Sequence, residues 1–258
     1  MAHSDWNPES YGRFAGLRLR PALDLLQQVG ALPDGDICDL GCGTGVVGPV
    51  LGARFNSRRI IGVDASPAML EKARATGAYA DLQLADIAQW APETPFALVY
   101  SNAALHWLPD HERLLSAIAK WVRPGGTLAV QVPHQNRAPS HRIWLDLVQE
   151  HYPGRVDPAT IPGVREPTDY HRLLSPFGEV DVWETEYYQR LPAAEIGHPV
   201  RHFTSSTFAR PFLDRLNPQE TAHIESLYDT VMDRAYPRAG DGSVLFPFRR
   251  MFFTLDIV

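Results

Sequence analysis

Asp39, Gly41, Gly43 and Gly45 stand in the run CDLGCGTGVVG (Cys38–Gly48), and two ligand chemistries fit that run. Gly43–Gly48, GTGVVG, matches the spacing G-x-G-x-x-G, whose glycines let the backbone approach a pyrophosphate at a helix N-terminus. Shifted by two residues, Asp39–Gly45, DLGCGTG, reads D-x-G-x-G-x-G, the loop of a nucleoside cofactor with a different headgroup. Either ligand needs an acid at the tip of the next strand to hold ribose hydroxyls, and Asp64 fills that place. The two differ in charge. With Gly43 as the first glycine of a dinucleotide loop, the Asp39 carboxylate falls where a diphosphate would have to sit. A carboxylate there is better matched to a cation, such as an ammonium or sulfonium group.

The elements that must position these residues follow from hydrophobic periodicity. Leu19, Leu23, Leu26 and Val29 recur at helical spacing and stop at Gly30. DICDL (36–40), RRIIGVDAS (58–66), LQLAD (82–86), FALVYSN (96–102) and TLAVQV (127–132) are expected strands. Ser66-Pro67 opens one helix as N-cap and first residue, and Asp110 caps another whose Leu114, Leu115, Ile118, Ala119 and Val122 form a stripe. RPGG (123–126) reads as a turn. Near-continuous apolar strands alternating with helices predict a parallel sheet covered on both faces, with ligands at its carboxyl edge.

After residue 133 the rhythm changes. A helix is expected near 140–151, a Pro/Gly-rich loop over 152–167, a strand over 179–191, helices through 192–248 and a last strand at 249–258. The expected organisation is one domain: a core of about 30–133 with strands 179–191 and 249–258, cap segments 134–178 and 192–248, and an N-terminal lid 1–17.

At 258 residues the chain can bury a full core. Its formal net charge of -6 argues against a nucleic-acid partner, so an anionic substrate must be held by local Arg or His. No segment reaches the ~18 apolar residues of a transmembrane helix, and the N-terminus has no apolar run, so a cytoplasmic protein without a membrane partner is expected. The two cysteines, Cys38 and Cys42, flank the end of one strand and suggest neither a disulfide nor a metal site. His198 and His202 are four apart, but Pro199 lies between them, so no metal is expected.

DLGCGTG, GVDASPAML, ADI, SNAALHW and VRPGGTLAV stand in the order and spacing of class I S-adenosylmethionine-dependent methyltransferases, and the chain resembles that family. WNPESYGRFAGLRLRPALDLL (6–26), SNAALHWLPDH (101–111), AVQVP (129–133), SH (140–141), VDVWETEYY (180–188), ARPFLDRL (209–216) and GSVLFPFRRMFF (242–253) are similar to the trans-aconitate 2-methyltransferase family in particular. The resemblance implies a doubly wound α/β fold, Rossmann-like, with a seven-stranded, mostly parallel sheet and helical cap insertions. The chain departs from that family's pattern at GCGTGV (41–46), at His106, at PHQ (133–135) and at STFARP (206–211). These departures bear on the acceptor more than on the cofactor.

The implied reaction is an in-line displacement. A carboxylate oxygen bonds to the methyl carbon of S-adenosyl-L-methionine, and the carbon–sulfur electron pair leaves with sulfur as the neutral thioether S-adenosyl-L-homocysteine. The nucleophile is already ionised, so no general base is needed, and orientation alone can supply roughly 7–11 kcal/mol. Opposite charges vanish in this step. A cation clamped on the attacking oxygen would therefore favour the ground state, and arginines belong on the other carboxylates. Neutral donors, His106 or Trp107, are expected at the attacking oxygen.

The resemblance further implies Asp39, Gly41, Cys42, Gly43 and Gly45 on the methionine side, and Asp64 on the ribose with Ala65, Ser66 and Met69 beside it. Asp86 and Ile87 would meet adenine, and Asn102 and Ala103 the methionyl portion. Tyr11, Arg18, Arg210 and Arg249 are the substrate candidates, for a small-molecule carboxylic acid bound by a monomer. An acceptor that must lose a proton, a phenol or amine, would instead recruit His106 as base. A non-catalytic binder of S-adenosylmethionine is the alternative from another class.

Overall fold

Ile37–Leu40 (β1) is buried at every position, as a strand in the middle of a covered parallel sheet must be. The structure, a computed structural model, describes residues 15–157 and 163–258. Tyr11 and the side chain of Arg18 lie outside the described residues, as does most of the expected lid.

Helix α1 (Ala15–Gln27) precedes β1, which runs through the glycine loop into α2 (Gly48–Arg54). Then follow β2 (Ile60–Asp64), α3 (Pro67–Ala75), β3 (Asp81–Leu84) and β4 (Phe96–Asn102). A 3-10 turn, Leu105–Trp107, and α4 (His111–Ala119) lead into β5 (Val122–Pro133). The second half comprises α5 (Pro139–His151), α6 (Pro167–Leu174), β6 (Gly178–Leu191), α7 (Pro199–Ser205), α8 (Arg210–Leu213), α9 (Pro218–Ala235) and β7 (Val244–Ile257).

The seven strands form one sheet in the order β3-β2-β1-β4-β5-β7-β6. β1 pairs in parallel with β2 and β4, β2 with β3, and β4 with β5, whereas β7 runs antiparallel to β5. The expected α/β, doubly wound, mostly parallel sheet is therefore present. Between β1 and β4 the winding reverses, and crevices at such a switch point open at the carboxyl ends of the strands. The buried face of α4, with Leu114, Leu115 and Ile118, packs on Val99, Leu128, Val130 and Phe253 of the sheet, as its stripe predicts.

Three boundaries differ from the sequence reading. Val122 and RPGG belong to β5, where pairing jumps from Phe96↔Val122 to Leu98↔Thr127, so the turn is an excursion within a strand. β7 starts at Val244 and not at 249, since alternating burial of Val244, Phe246 and Phe248 extends the strand through a proline. In α1 Pro21, Ala22, Leu25 and Leu26 are buried while Leu19 and Leu23 are half-buried, and Val29 is buried just beyond the helix end.

The chain divides into two compact units. The first holds residues up to Pro133, Val164–Glu184 and Arg250–Val258, so α6, expected in a cap segment, belongs to the unit that carries the glycine loop. The second holds His134–Gly163 and Thr185–Arg249 and has its own core. There the indole of Trp144 stacks on Tyr228 at 3.9 Å and donates to Thr204 Oγ1 at 2.9 Å, while Tyr228 donates to the Ser140 carbonyl at 2.7 Å. Among the described residues, no helix is long and apolar enough to cross a membrane.

β6 can enter the sheet only because its first residue has no side chain: a Cβ at Gly178 would lie 2.0 Å from the Asp256 carbonyl oxygen of β7. Gly178→Ala is expected to cost about 1–3 kcal/mol or more, from overpacking against backbone that cannot retreat. Urea denaturation checks this, and an unchanged midpoint would refute it.

Candidate functional site: a glycine loop over a buried carboxylate

Gly41, Gly43 and Gly45 all take positive φ, +76°, +54° and +77°, a conformation that side chains rarely tolerate. The loop is tied to the end of β2. Gly41 N and Cys42 N both donate to the Val63 carbonyl, at 2.8 and 3.0 Å, and Gly43 N donates to Asp64 Oδ2 at 2.9 Å. The other oxygen of Asp64 accepts from Ser66 N at 2.9 Å, so one carboxylate holds the loop and the start of α3 together. A Cβ added at Gly43 would meet nothing within 4 Å, so a ligand can reach the backbone there.

Asp39 stands on β1 at the start of the loop. It is 2% exposed, beneath the loop, and Tyr79 donates its hydroxyl to Asp39 Oδ2 at 2.7 Å. Burial pushes the Asp39 carboxyl up to about 7; the Tyr79 hydrogen bond opposes that rise and the Asp64 charge adds to it. Burial also raises the Tyr79 hydroxyl, with the Asp39 charge next in weight. The Tyr79 ring lies flat against glycines: a Cβ would come within 3.0 Å of it at Gly45, 2.7 Å at Gly48 and 2.9 Å at Gly62. Gly48, the last glycine of the dinucleotide-like spacing, is thus needed to seat a tyrosine. Cys42 and Ala73 close the same cluster.

Beyond β3, Asp86 is exposed and accepts from Ala88 N at 2.9 Å, while Ile87 is buried and reaches within 3.6 Å of a Cβ at Gly41. Ser66 caps α3, accepting from Met69 N at 3.2 Å, and Met69 is 4% exposed. Their side chains are thereby committed to cap and core, which leaves Ala65 exposed beside them.

After β4 the chain turns back over the loop. Ala104 Cβ would be 2.2 Å from a Cβ at Gly41, so the two segments are in van der Waals contact. Ala103 takes φ +54° and Asp110 φ +51°, and between these two left-handed residues lies the 3-10 turn with His106 and Trp107. Their rings are half-buried with centroids 4.6 Å apart. Asn102 Oδ1 is buried and has no hydrogen-bond partner in the protein.

The turn has a support that sequence reasoning missed. His111 Nε2 lies 3.0 Å from the Leu105 carbonyl, and its Nδ1 lies 2.5 Å from the Tyr170 hydroxyl. Tyr170 can then donate to Nδ1 while Nε2–H donates to Leu105, which requires a neutral ring. Desolvation lowers the His111 pKa, in keeping with that state. No spacing rule pairs residue 111 with residue 170.

Of the substrate candidates, Arg210 lies 3.7 Å from Asp214 on α8, and Arg249 lies 3.7 Å from Glu186 with half its side chain exposed. Among the described residues no cluster of three or more His, Cys, Asp or Glu could hold a metal. His198 is a helix cap, accepting from Val200 N at 3.2 Å.

The methyltransferase-domain family matches residues 37–126, from β1 into the excursion of β5. Over 96% of this chain and 97% of its own length, a trans-aconitate 2-methyltransferase from Methylobacterium radiotolerans is 42% identical. The chain belongs to the trans-aconitate 2-methyltransferase family. An Escherichia coli member is 37% identical over 96% of this chain and 97% of its own. The crystal structure of the YcgJ protein from Bacillus subtilis shares the fold, with a TM-score of 0.57 at 15% identity over 93% of this chain and 99% of that one.

Between the ordinary carboxylate range and pH 7, folded Asp39 keeps a proton that the unfolded chain has lost, so stability falls as pH rises through that window. Asp39→Asn cannot ionise. Relative to wild type it should gain about 3 kcal/mol of stability between pH 5 and pH 8, since about two pKa units of the shift fall in that window at ~1.4 kcal/mol each. Calorimetric melting of both proteins across that range checks this; a constant difference would refute it.

Proposed function

We propose that this chain transfers a methyl group from S-adenosyl-L-methionine to a carboxylate oxygen of a small polycarboxylic acid, trans-aconitate first among them. The observation that carries this reading is the 42% identity to a trans-aconitate 2-methyltransferase, which extends over 96% of the chain and so includes the second unit.

The residues present fit the cofactor. Gly43 offers open backbone at positive φ, and Asn102 Oδ1 is a buried acceptor that still needs a donor such as an ammonium group. Asp64 keeps lone pairs for ribose hydroxyls after accepting two amides. Ala65 and the backbone of Ser66 and Met69 would lie alongside, with Ile87 and Asp86 at the base and the Gly41–Gly45 loop and Ala103 at the methionine side. Asp39 acts from below the loop, as a charge held in reserve rather than a direct contact. When bound, the cofactor supplies an electrophilic methyl carbon and a neutral leaving group.

What the protein contributes is placement. The acceptor oxygen is already anionic, so no side chain must remove a proton from it. His106 and Trp107 donate hydrogen bonds as neutral groups, which orient the acid without pinning the charge that the ester must lose. Arg210 and the N-terminal Tyr11 and Arg18 would serve recognition of the acid in this reading.

Labelled-methyl transfer to a panel of trans-aconitate, cis-aconitate, isocitrate and simple phenols tests the acceptor class. Methyl ester from trans-aconitate and none from phenols is expected; the reverse order would overturn the reading. A neutral donor can be replaced by another. His106→Gln should therefore keep kcat/KM for trans-aconitate within about tenfold, where loss of a general base costs roughly 10²–10⁴-fold. A pH–rate profile that loses an ionisation near neutrality in His106→Gln would point to base catalysis instead.

A further inference from the structure

Sheet order divides the ligand site. The loop and Asp64 follow β1 and β2, whereas β5 and β7 lie on the other side of β4. At ~4.8 Å per strand, β5 is about 10 Å and β7 about 14 Å from β1. Groups at the carboxyl ends of β4, β5 and the adjoining part of β7 are therefore placed for the acceptor.

Register puts three polar residues on one face there. Asn102 pairs with Gln131, Gln131 with Phe252, and Pro133 with Arg250, so Asn102, Gln131 and Arg250 project to the same side. Gln131 is fully buried and Arg250 is 4% exposed. Arg250 Nη1 donates to Gln131 Oε1 at 3.4 Å, which fixes the amide so that Nε2 is its free end. That Nε2 is buried and has no acceptor in the protein. A buried donor without an acceptor is costly, and a folded protein keeps one when something else supplies the acceptor. A one-residue step reverses the face: Arg249 is exposed and 3.7 Å from Glu186.

We propose that Arg250 and Gln131 form an anion-binding pair that holds a carboxylate of the acceptor acid, specifically one that is not methylated. This rests on the carboxyl-methylation reading and deepens it. A planar guanidinium beside an amide N–H offers two donors to two carboxylate oxygens. The spectator group is the one it takes, because an arginine on the reacting oxygen would oppose the loss of its charge. Asn102, one strand nearer the glycine loop, presents an acceptor instead of a donor and so does not belong to the anion pair.

The test compares Arg250→Gln and Gln131→Met with wild type. Readouts are KM for trans-aconitate, calorimetric binding of trans-aconitate to the protein saturated with adenosylhomocysteine, the Kd of adenosylhomocysteine itself, and melting temperature. Arg250→Gln should raise KM and the acid's Kd about 100-fold and Gln131→Met about tenfold. Adenosylhomocysteine affinity should stay within threefold. An acid Kd within threefold of wild type in Arg250→Gln overturns the proposal, as does an equal loss of adenosylhomocysteine binding. If Arg250→Gln does not fold, Gln131→Met decides by the same readouts. Should wild type methylate no acid yet bind trans-aconitate in an Arg250-dependent way, the carboxyl-methylation reading fails and the anion pair stands. Methylation of trans-aconitate that Arg250→Gln leaves intact is the opposite result, and it sinks the pair alone.

Discussion

A carboxylate sealed under a turn of glycines is the constraint from which the site is built. Asp39 is the last residue but one of β1, and among the described residues its hydrogen-bond partner is the Tyr79 hydroxyl at 2.7 Å. To bring that hydroxyl in, the ring must slide beneath the loop, and Gly45, Gly48 and Gly62 each leave the space that a methyl group would fill. Backbone flexibility is thus only half the reason for so many glycines here. The other half is an aromatic ring that must pass under them to reach an acid.

The loop so fixed becomes a reference surface for the next segment. Gly41 lets Ala104 approach, and Ala103 and Asp110 accept left-handed backbone, each at of order 1 kcal/mol or more, to fold the intervening turn back. That energy has to be offset by contacts that leave one arrangement. His111 provides them, by bonding Leu105 on one side and Tyr170 on the other from a buried position. The turn that carries His106 and Trp107 is consequently held at Leu105 by a neutral histidine on α4.

Features governed by local rules were legible in the sequence. β4 covers the expected FALVYSN, Asp110 and Ser66 cap the helices they precede, and the alternation of strand and helix dictated the parallel sheet. Features governed by contacts between distant positions were not. Tyr79 carries no motif, being defined only by what lies forty residues earlier. The sequence displays the charge of Asp39 but not its burial, which raises its proton affinity. The arginines illustrate a third cause. RR at 249–250 contains one exposed and one buried side chain, and which is which depends on where β7 starts and how it registers with β5. A strand begun at 249 offers no phase, whereas one begun at Val244 fixes it through Phe246 and Phe248.

That phase matters because of the electrostatics of the whole chain. With a formal net charge of -6, the average field repels a polycarboxylate, so capture must come from short range. An exposed arginine such as Arg249 competes poorly: water and salt screen it within a Debye length of about 8–10 Å, and Glu186 stands beside it. A guanidinium at 4% exposure acts through a much lower effective dielectric, where the same charge at the same distance counts several-fold more. The field that selects an anion therefore has to be generated inside the sheet edge, by a residue whose partners are strands. An acidic protein can recognise an acid on those terms, because what the ligand meets at the end is one oriented cation and one oriented amide.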